Sequence, residues 1–275
     1  MLFYPREWHT ACMPIMSIVL LDIMASVLDI LIVGGGFSGT TIAAHLLRRA
    51  TGLSVGILDR GGQPGRGLAY SSPHRFHLLN VPAGNMSALP DDSEHFLRWA
   101  QRNYDASIQG RSFLPRSLYG DYVSGVLEQA IADGNQDRFR WIQDEALSLQ
   151  QRNGQLAVQR KSGPEVLTRA VVLAIGNFPP ADPRVPGLGP GSALYLPFAW
   201  ANNVLEDLPA HGSILLIGAG LTSVDLIMAL RSKNFKGSIR VLSRKGLLPQ
   251  RYRAAEPWPP SGTRRRPVLR VDCYG

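Results

Sequence analysis

The sequence predicts an α/β protein with two β–turn–α–β units in series, and three observations support this fold class. Glycine-rich turns at 34–39 and 218–223 each follow a short apolar strand, at 30–33 and 214–217. Such turns lead a parallel strand into a helix. The stretch 170–175 is continuously apolar, as a buried parallel strand should be. We therefore expect a Rossmann-like three-layer domain with a small β-meander, followed by a second, incomplete Rossmann-like domain.

The first turn has the spacing of a diphosphate-binding motif. Gly34 supplies the backbone angles of the sharp reversal, Gly36 lets a pyrophosphate approach the backbone, and Gly39 lets the helix pack closely on the sheet. The free N–H groups that begin the helix then face the phosphates. Asp59 ends the next strand, 20 residues after Gly39, where a carboxylate accepts hydrogen bonds from a ribose. The alternative is an ordinary glycine turn with a solvated aspartate.

The second turn repeats this pattern with a basic strand end. Arg244–Lys245 follow Ser243, and Arg244 lies 26 residues after Gly218. A hydroxyl and two cations attract the 2′-phosphate that a carboxylate would repel, so this site favours NADP over NAD. Ser223 stands where a third glycine is usual, and it or Thr222 is a candidate helix cap. The alternative is a basic strand end on a solvated surface.

Between the turns, the sequence predicts helices, short strands and a long irregular segment. Residues 61–90 lack a clean period, which is typical of a binding loop. Ser93 is a candidate cap for a helix over 94–102, and Pro115 precedes a helix over 116–132. Short strands that together suggest a β-meander are predicted near 139–142, 146–150 and 156–160.

These elements predict four segments. They are an N-terminal extension (1–26), the first nucleotide-binding domain (27–188), a partial second one (189–252) and a disordered basic tail (253–275). Residues 14–25 are apolar but too short to span a membrane. They resemble either a signal peptide or an over-extended start ahead of a natural beginning at Met24, and the acidic residues around them favour the second interpretation.

Charge and cysteine usage exclude several classes of protein. The net charge is +8, yet residues 231–275 hold twelve basic and two acidic residues, which leaves a net charge of −2 elsewhere. The basicity therefore belongs to the tail and does not indicate nucleic-acid binding. The two cysteines, Cys12 and Cys273, form no C-x-x-C pair, which excludes dithiol reductases and thiolate zinc sites. The six histidines lack ligand spacing, so we expect no metal, and the free thiols favour a cytoplasmic location.

Taken together, these motifs resemble the FAD/NAD(P)-binding family that includes FAD-dependent urate hydroxylases and amino-acid N-oxygenating enzymes, relatives of the flavin-containing and N-hydroxylating monooxygenases. The resemblance runs from about Leu28 to about Gln250. The segments that carry it are the two glycine turns with their strands, Gly67-Leu-Ala-Tyr-Ser, His77-Leu-Leu-Asn-Val-Pro-Ala, Met86-Ser-Ala, Arg116 with Tyr119-Gly120, Leu173-Ala-Ile-Gly, and Leu242-Ser-Arg-Lys-Gly-Leu-Leu-Pro.

The resemblance implies FAD in the first site, NADP in the second and a monooxygenase acting on a small molecule, with no membrane partner. The alternative is a flavin- or nucleotide-binding protein without turnover. For Arg116 and Tyr119, helix packing is as good an explanation as cofactor contact. The implied cofactor-binding residues are Gly34, Gly36, Phe37, Ser38, Gly39, Asp59, Arg60, Asn80, Val81, Met86, Ala174 and Gly176 for FAD, and Gly218, Gly220, Leu221, Thr222, Ser223, Arg244 and Lys245 for NADP.

The C-terminal part departs from the family pattern. Relatives return to the FAD domain after the second nucleotide turn, but the residues that follow Lys245 are proline-rich and charged, without a period. We expect a chain cut short, with a compact natural variant as the alternative. No residue type in the sequence singles out a catalytic acid, base or nucleophile.

Overall fold

A computed structural model describes residues 27–49, 52–72, 74–178 and 210–250, together with residues 181, 192, 194–198, 205 and 208. The chain divides after Leu208 into two compact units. The predicted N-terminal extension, the predicted boundary at 188/189 and the predicted tail lie outside the described residues. None of the described helices is long and apolar enough to cross a membrane.

The first unit is built on a mixed six-stranded sheet. Four strands are parallel in the order β3-β2-β1-β6, and β5 and β4 continue the sheet in antiparallel pairing. The strands are β1 (Leu28–Val33), β2 (Val55–Asp59), β3 (Phe139–Gln143), β4 (Ala146–Arg152), β5 (Gln155–Arg160) and β6 (Val166–Leu173).

The β-meander differs from the predicted one. The strand predicted at 139–142 is β3, which pairs in parallel with β2 and not with the meander. The meander consists of β4, β5 and the first half of β6. Thr168 is the junction, because it pairs with Leu156 of β5 on one side and with Leu28 of β1 on the other. A single long strand thus belongs to both parts of the sheet, which local sequence patterns could not reveal.

Helices cover the parallel part of the sheet. They are α1 (Phe37–Arg48), the short α2 (Gly67–Tyr70), α3 (His95–Asn103) and α4 (Arg116–Ala132). Ala43 and Leu47 of α1 lie in one apolar core with Val123 and Leu127 of α4, and all four are almost completely buried. The bounds of α4 match the prediction. The predicted Ser93 cap is wrong, since Glu94 is the N-cap residue and makes no side-chain cap bond.

The described part of the second unit is one β–α–β element. It comprises β7 (Ser213–Ile217), α5 (Leu221–Ser232) and β8 (Ser238–Leu242), with the two strands parallel and Ser213 opposite Ser238. Gly220 is the N-cap residue of α5 and has no side-chain cap bond. The Ser223 hydroxyl instead donates to the Gly220 carbonyl at 2.7 Å. The predicted cap at Thr222 or Ser223 is therefore wrong.

Candidate functional site: two glycine turns

The first turn is held in a conformation that only glycine tolerates. Gly34 has φ of +108°, and its N–H donates to the Leu58 carbonyl at 2.8 Å. A Cβ built on Gly34 would lie 2.2 Å from the Ala174 carbonyl oxygen, because the residue after β6 crosses directly over the turn. Both the backbone angle and the close approach exclude a side chain here.

Gly39 and Gly36 have different surroundings. A Cβ on Gly39 would lie 1.8 Å from the Gly34 carbonyl oxygen, so α1 presses against the turn itself. A Cβ on Gly36 would meet only the Gly67 Cα, at 3.6 Å. Gly36 has ordinary backbone angles, with φ of −70°, so neither folding nor strain demands glycine there. Open space above a half-buried helix N-terminus is what a phosphate group needs.

Asp59 ties the turn to the end of β2. Its Oδ2 accepts a hydrogen bond from the Gly35 N–H at 2.7 Å, and its Oδ1 accepts one from the Gly61 N–H at 2.6 Å. Each carboxylate oxygen retains a second lone-pair direction, and the side chain is partly open to solvent. The carboxylate therefore shapes the turn and can also accept from a ribose hydroxyl. Arg60, which follows it, is exposed.

The loop after β2 closes over the turn through contacts that the sequence did not indicate. The Gly65 N–H donates to both the Gly35 carbonyl and the Thr40 hydroxyl oxygen, each at 2.8 Å, and the Thr40 hydroxyl donates to the Gly35 carbonyl at 2.9 Å. Thr40 is fully buried. Trp141 of β3 packs on Gly35, since a Cβ there would lie 2.6 Å from its ring. Apart from the position of Thr40 directly after Gly39, nothing in the sequence points to these partners.

Exposed apolar side chains surround the first turn. Phe37 at the start of α1 and Leu68 of α2 are 37% and 48% exposed, and Ile175, directly after the Ala174 that covers Gly34, is 56% exposed. Gly176 has φ of +72° and no atom near a built Cβ. An apolar surface beside a diphosphate-type turn suits a flat aromatic ring system, which gains free energy when it leaves water.

The segment 77–86 is irregular but anchored. The N–H groups of Leu79, Ala83 and Gly84 donate to the carbonyls of residues 114, 112 and 110, at 2.8–2.9 Å. Asn80 stays exposed, and Val81 and Met86 are half-buried. The structure thus holds this predicted binding loop against the chain that leads into α4, while the Asn80 side chain remains accessible.

Arg66 and the first turns of α4 complete the described surroundings. Arg66 pairs with Asp121 of α4, and its Nε is buried without a hydrogen-bond partner. It precedes Gly67, whose Cα lies against Gly36. A buried donor without an acceptor fits a site that receives an anion. Arg116 donates from Nε to the Leu78 carbonyl at 3.0 Å, and Tyr119 is buried in the aromatic packing between α3 and α4.

The second turn has the same backbone with little around it. Gly218 has φ of +110°, and its N–H donates to the Leu242 carbonyl at 2.8 Å. Within the described residues, no atom lies within 4 Å of a Cβ built on Gly218 or Gly220. A cleft of about 520 Å³ opens at this turn, lined by Gly218, Ala219, Leu242, Ser243, Arg244, Lys245 and Leu247. Arg244 and Lys245 are exposed, as is Leu221, whereas Thr222 is half-buried and Ser223 is buried.

Both turns fit a dinucleotide. The structure brings Gly34, Gly36, Phe37, Ser38, Gly39 and Asp59 together with Ala174 in the first unit, and Gly218 and Gly220 with Arg244 and Lys245 in the second. Their cofactor contacts remain predictions. No group of three metal-ligating side chains occurs within the described part of the chain.

Comparisons with known proteins point in the same direction. A family model described as FAD-NAD(P)-binding matches residues 31–178, which is more than half of the 275 residues. That match contains the first turn, the loop after β2, the segment 77–86 and the end of β6. No match was found among curated proteins.

Solved structures share the fold at low sequence identity. A mutant flavin monooxygenase from Stenotrophomonas maltophilia is 19% identical with a TM-score of 0.51, over 79% of this chain and 58% of that chain. The flavin-containing monooxygenase from the same organism is 21% identical with a TM-score of 0.50 and the same coverage. OTEMO in complex with FAD and NADP is 16% identical with a TM-score of 0.50, over 79% of this chain and 39% of that chain. The chain thus spans a little over half the length of the first two proteins.

Proposed function

The chain belongs to the FAD-NAD(P)-binding family, and from that premise we propose that it is an FAD-dependent oxidoreductase that takes electrons from NADPH and oxygenates a small molecule. The observation that carries the proposal is the open space at Gly36. Its neighbours Gly34 and Gly39 are closed off by the protein's own backbone, whereas Gly36 has only Gly67 at van der Waals distance. A backbone left bare at the start of a helix is suited to a diphosphate.

Each part of the first unit has a task in this proposal. The N–H groups at the start of α1 bind the FAD pyrophosphate, Asp59 accepts from the adenosine ribose, and the apolar side chains around the turn, Phe37 among them, exclude water from the flavin ring. Asn80, Val81 and Met86 lie on an anchored segment that fixes the ring's position. Bound FAD supplies the hydride-accepting and oxygen-activating chemistry. The protein's contribution is orientation and desolvation.

The second unit binds the electron donor. Gly218 and Gly220 leave the start of α5 open for the NADPH diphosphate, as Gly36 does for FAD. Ser243, Arg244 and Lys245 line the same cleft and bind the 2′-phosphate through charge-assisted hydrogen bonds. OTEMO was crystallised with FAD and NADP, which supports this pair of cofactors for a chain with the same fold.

A protein that binds flavin or nucleotide without turnover is the second candidate. The observation that favours it is the exposure of the second unit. Leu215 and Ile217 of β7 and Leu242 of β8 are more than half exposed, in a described sheet of two strands. A short open sheet is marginally stable, and a donor site built on it would hold NADPH weakly.

The visible spectrum of the purified chain tests the proposal. Flavin bands that bleach anaerobically with NADPH, faster than with NADH, support the oxidoreductase, whereas bands that never bleach support the binding protein.

A double variant tests the site of the 2′-phosphate. Replacing both Arg244 and Lys245 with Ala should lower the affinity for NADPH by about tenfold or more, since each hydrogen bond to a charged group contributes about 1.5–3 kcal/mol. Arg240→Ala, an exposed cation on β8 outside the cleft, is the matched control. An equal loss of NADPH affinity in Arg240→Ala would contradict the assignment of Arg244 and Lys245 to the 2′-phosphate. A colourless protein that cannot be loaded with FAD would refute the proposed function as a whole.

A further inference from the structure

A row of oxidisable aromatic rings leads away from the first turn through the core of the first unit. Tyr70 of α2 lies 4.9 Å from Tyr119, Tyr119 lies 5.5 Å from Tyr122, and Tyr122 lies 5.5 Å from Trp99, measured between ring centroids. We call these four residues the aromatic row. Such centroid separations place neighbouring rings in or near contact, so an electron can pass between them by tunnelling without any side-chain movement.

The row begins at the proposed flavin site. Phe37, the first residue of α1, lies 6.2 Å from Tyr70 and 5.9 Å from Tyr119 between centroids. Phe37 and Tyr70 are partly open to solvent, whereas Tyr119 and Tyr122 are 2% and 0% exposed. The row therefore starts at the rim of the turn and runs directly into the dry core.

Tyr122 is paired with a base. Its hydroxyl oxygen accepts a hydrogen bond from the Ala88 N–H at 3.1 Å and lies 2.9 Å from the Nδ1 of His95. The Ala88 N–H occupies one acceptor site of the hydroxyl oxygen, and we assign the Tyr122 proton to the bond with His95 Nδ1, which accepts it when the imidazole is neutral with its own proton on Nε2. Burial lowers the pKa of His95 and raises the pKa of Tyr122, so at neutral pH the phenol carries the proton and the imidazole is free to receive it.

The far end of the row opens at the surface. Trp99 lines a cleft of about 340 Å³ together with Tyr104, Arg75 and Asn103, and its side chain is half-buried. A small solute entering this cleft reaches the indole ring. The row thus connects the rim of the first turn with a surface cleft through buried tyrosines.

We propose that the aromatic row carries one-electron oxidising equivalents from the flavin to the surface and holds them at Tyr122 with His95 as proton acceptor. This rests on the proposed function, which supplies the flavin and, from its reaction with O₂, oxygen-derived one-electron oxidants. The oxidant gains one electron, which comes through Tyr70 and Tyr119 from Tyr122. The O–H bond of Tyr122 breaks, an N–H bond forms at His95 Nδ1, and a neutral tyrosyl radical remains. A small soluble reductant in the surface cleft, such as a thiol or ascorbate, then gives one electron through Trp99 to the Tyr122 radical. The proton on His95 Nδ1 returns to the Tyr122 oxygen, and the reductant leaves oxidised by one electron, with its own proton lost to water.

The arrangement protects the flavin site. Without an escape route, an oxidant formed beside the flavin attacks whatever side chain it touches first. Proton transfer along an existing hydrogen bond needs no rearrangement, so Tyr122 is oxidised more readily than a tyrosine whose proton has no acceptor. The radical therefore collects at Tyr122, away from the flavin and close to Trp99.

The protonation state of His95 controls the radical trap. The charged groups that act on its imidazole are Asp92, Arg98 and Arg102 near its own helix and Arg48 of α1, with the Tyr122 hydroxyl from α4. Asp92 favours the charged imidazole, while burial and the three arginines disfavour it. Below the lowered pKa of His95, Nδ1 is already protonated and cannot accept. We therefore expect the yield of the Tyr122 radical to fall as the pH is lowered through that pKa.

Two measurements test the proposal, and one of them needs no flavin. In the flavin-loaded chain, a light flash makes the oxidised flavin a one-electron oxidant, and transient absorption follows the tyrosyl radical. In the flavin-free chain, azide radicals from pulse radiolysis supply the oxidant, and electron paramagnetic resonance identifies the radical residue. We expect a long-lived tyrosyl signal in both cases. Added ascorbate should shorten its lifetime several-fold.

Conservative variants identify the residues. Tyr122→Phe keeps the ring in place and should abolish the long-lived signal in both measurements, and Trp99→Phe should make the signal several-fold less sensitive to ascorbate. Tyr195→Phe, at a tyrosine that belongs neither to the row nor to the residues lining the Trp99 cleft, is the control and should change neither. An unchanged signal in Tyr122→Phe, or one equally reduced in Tyr195→Phe, would overturn the proposal. If the chain binds no FAD, the proposed function fails, while the flavin-free measurement still decides whether Tyr122 and His95 form the trap.

Discussion

The two glycine turns have the same backbone but different surroundings. Gly34 and Gly218 have φ of +108° and +110°, and each donates its N–H to the end of the neighbouring strand at 2.8 Å. A Cβ on Gly34 would strike the Ala174 carbonyl, whereas a Cβ on Gly218 meets no described atom within 4 Å. The hydrogen bond that closes the turn thus sets its shape, and the packing around it is a separate feature that, among the described residues, only the first unit shows.

The two turns also differ at the third glycine position of the motif, which is Gly39 in the first turn and Ser223 in the second. Gly39 lies so close to the first turn that a Cβ would reach within 1.8 Å of the Gly34 carbonyl oxygen. Its counterpart Ser223 carries a side chain that donates to Gly220. The first helix is pressed against its turn, while the second has room for a hydroxymethyl group. The same motif therefore tolerates different residues, depending on how closely helix and turn approach.

Alanine at the first motif position should produce the largest difference between the turns. We expect Gly34→Ala to destabilise the first unit by more than about 4 kcal/mol, as a backbone clash adds to strain. Gly218→Ala should cost only the strain of a left-handed residue, about 1–2 kcal/mol. Urea denaturation followed by circular dichroism measures both. Equal losses would mean that the Ala174 contact contributes nothing.

Alanine at the second motif position should separate binding from folding. Gly36→Ala adds a methyl group with one ordinary contact, to the Gly67 Cα at 3.6 Å, and Gly220→Ala adds one with no described atom within 4 Å. Both residues have ordinary backbone angles, so the free energy of unfolding should change little. We expect Gly36→Ala to lower the affinity for FAD about a hundredfold, or about 2.8 kcal/mol. Gly220→Ala should bind FAD normally but slow the reduction of the flavin by NADPH.

The matched control for these two variants is Gly125→Ala within α4. A Cβ there meets only the Trp99 indole nitrogen, at 3.8 Å, and alanine should stabilise the helix by about 0.5–1 kcal/mol. Flavin fluorescence titration and anaerobic stopped-flow reduction provide the readouts. The assignment of the two turns would be wrong if Gly36→Ala impaired only the reaction with NADPH.

The smallest expected effect concerns Asp59 and Ser243, which lie at the ends of β2 and β8, the second strand of each β–turn–α–β unit. Asp59 accepts from two backbone N–H groups, and Ser243 occupies the corresponding place next to Arg244 and Lys245. Ser243→Asp should repel the 2′-phosphate and shift the preference for NADPH over NADH by about tenfold towards NADH, or about 1.4 kcal/mol. Ser243→Ala, which removes the hydroxyl without adding charge, should shift it far less. Steady-state kcat/KM for the two donors gives the ratio, and an unchanged ratio in Ser243→Asp would place the 2′-phosphate elsewhere.

Local signals in the sequence were sufficient for most elements. Pro115 cannot lie inside a helix and Gly134 has φ of +91°, so the bounds of α4 followed from two residues. The apolar runs before each glycine turn are β1 and β7, and the strand ending at Asp59 is β2. The caps at Ser93 and at Thr222 or Ser223 were wrong because a hydroxyl near a helix start does not determine which backbone group it reaches.

The sequence alone determined the α/β class, the two turns with their strands and helices, and the chemical contrast between Asp59 and Ser243, because each depends on residues close together in the chain. Only the tertiary structure decided that β3 joins the parallel sheet, that Thr40, Gly65 and Trp141 close the first turn, and that the Ala174 carbonyl crosses over Gly34. These features arise from contacts between residues 25 to more than 100 positions apart, where local conformational preference carries no information and only the packing of the whole unit selects the partner.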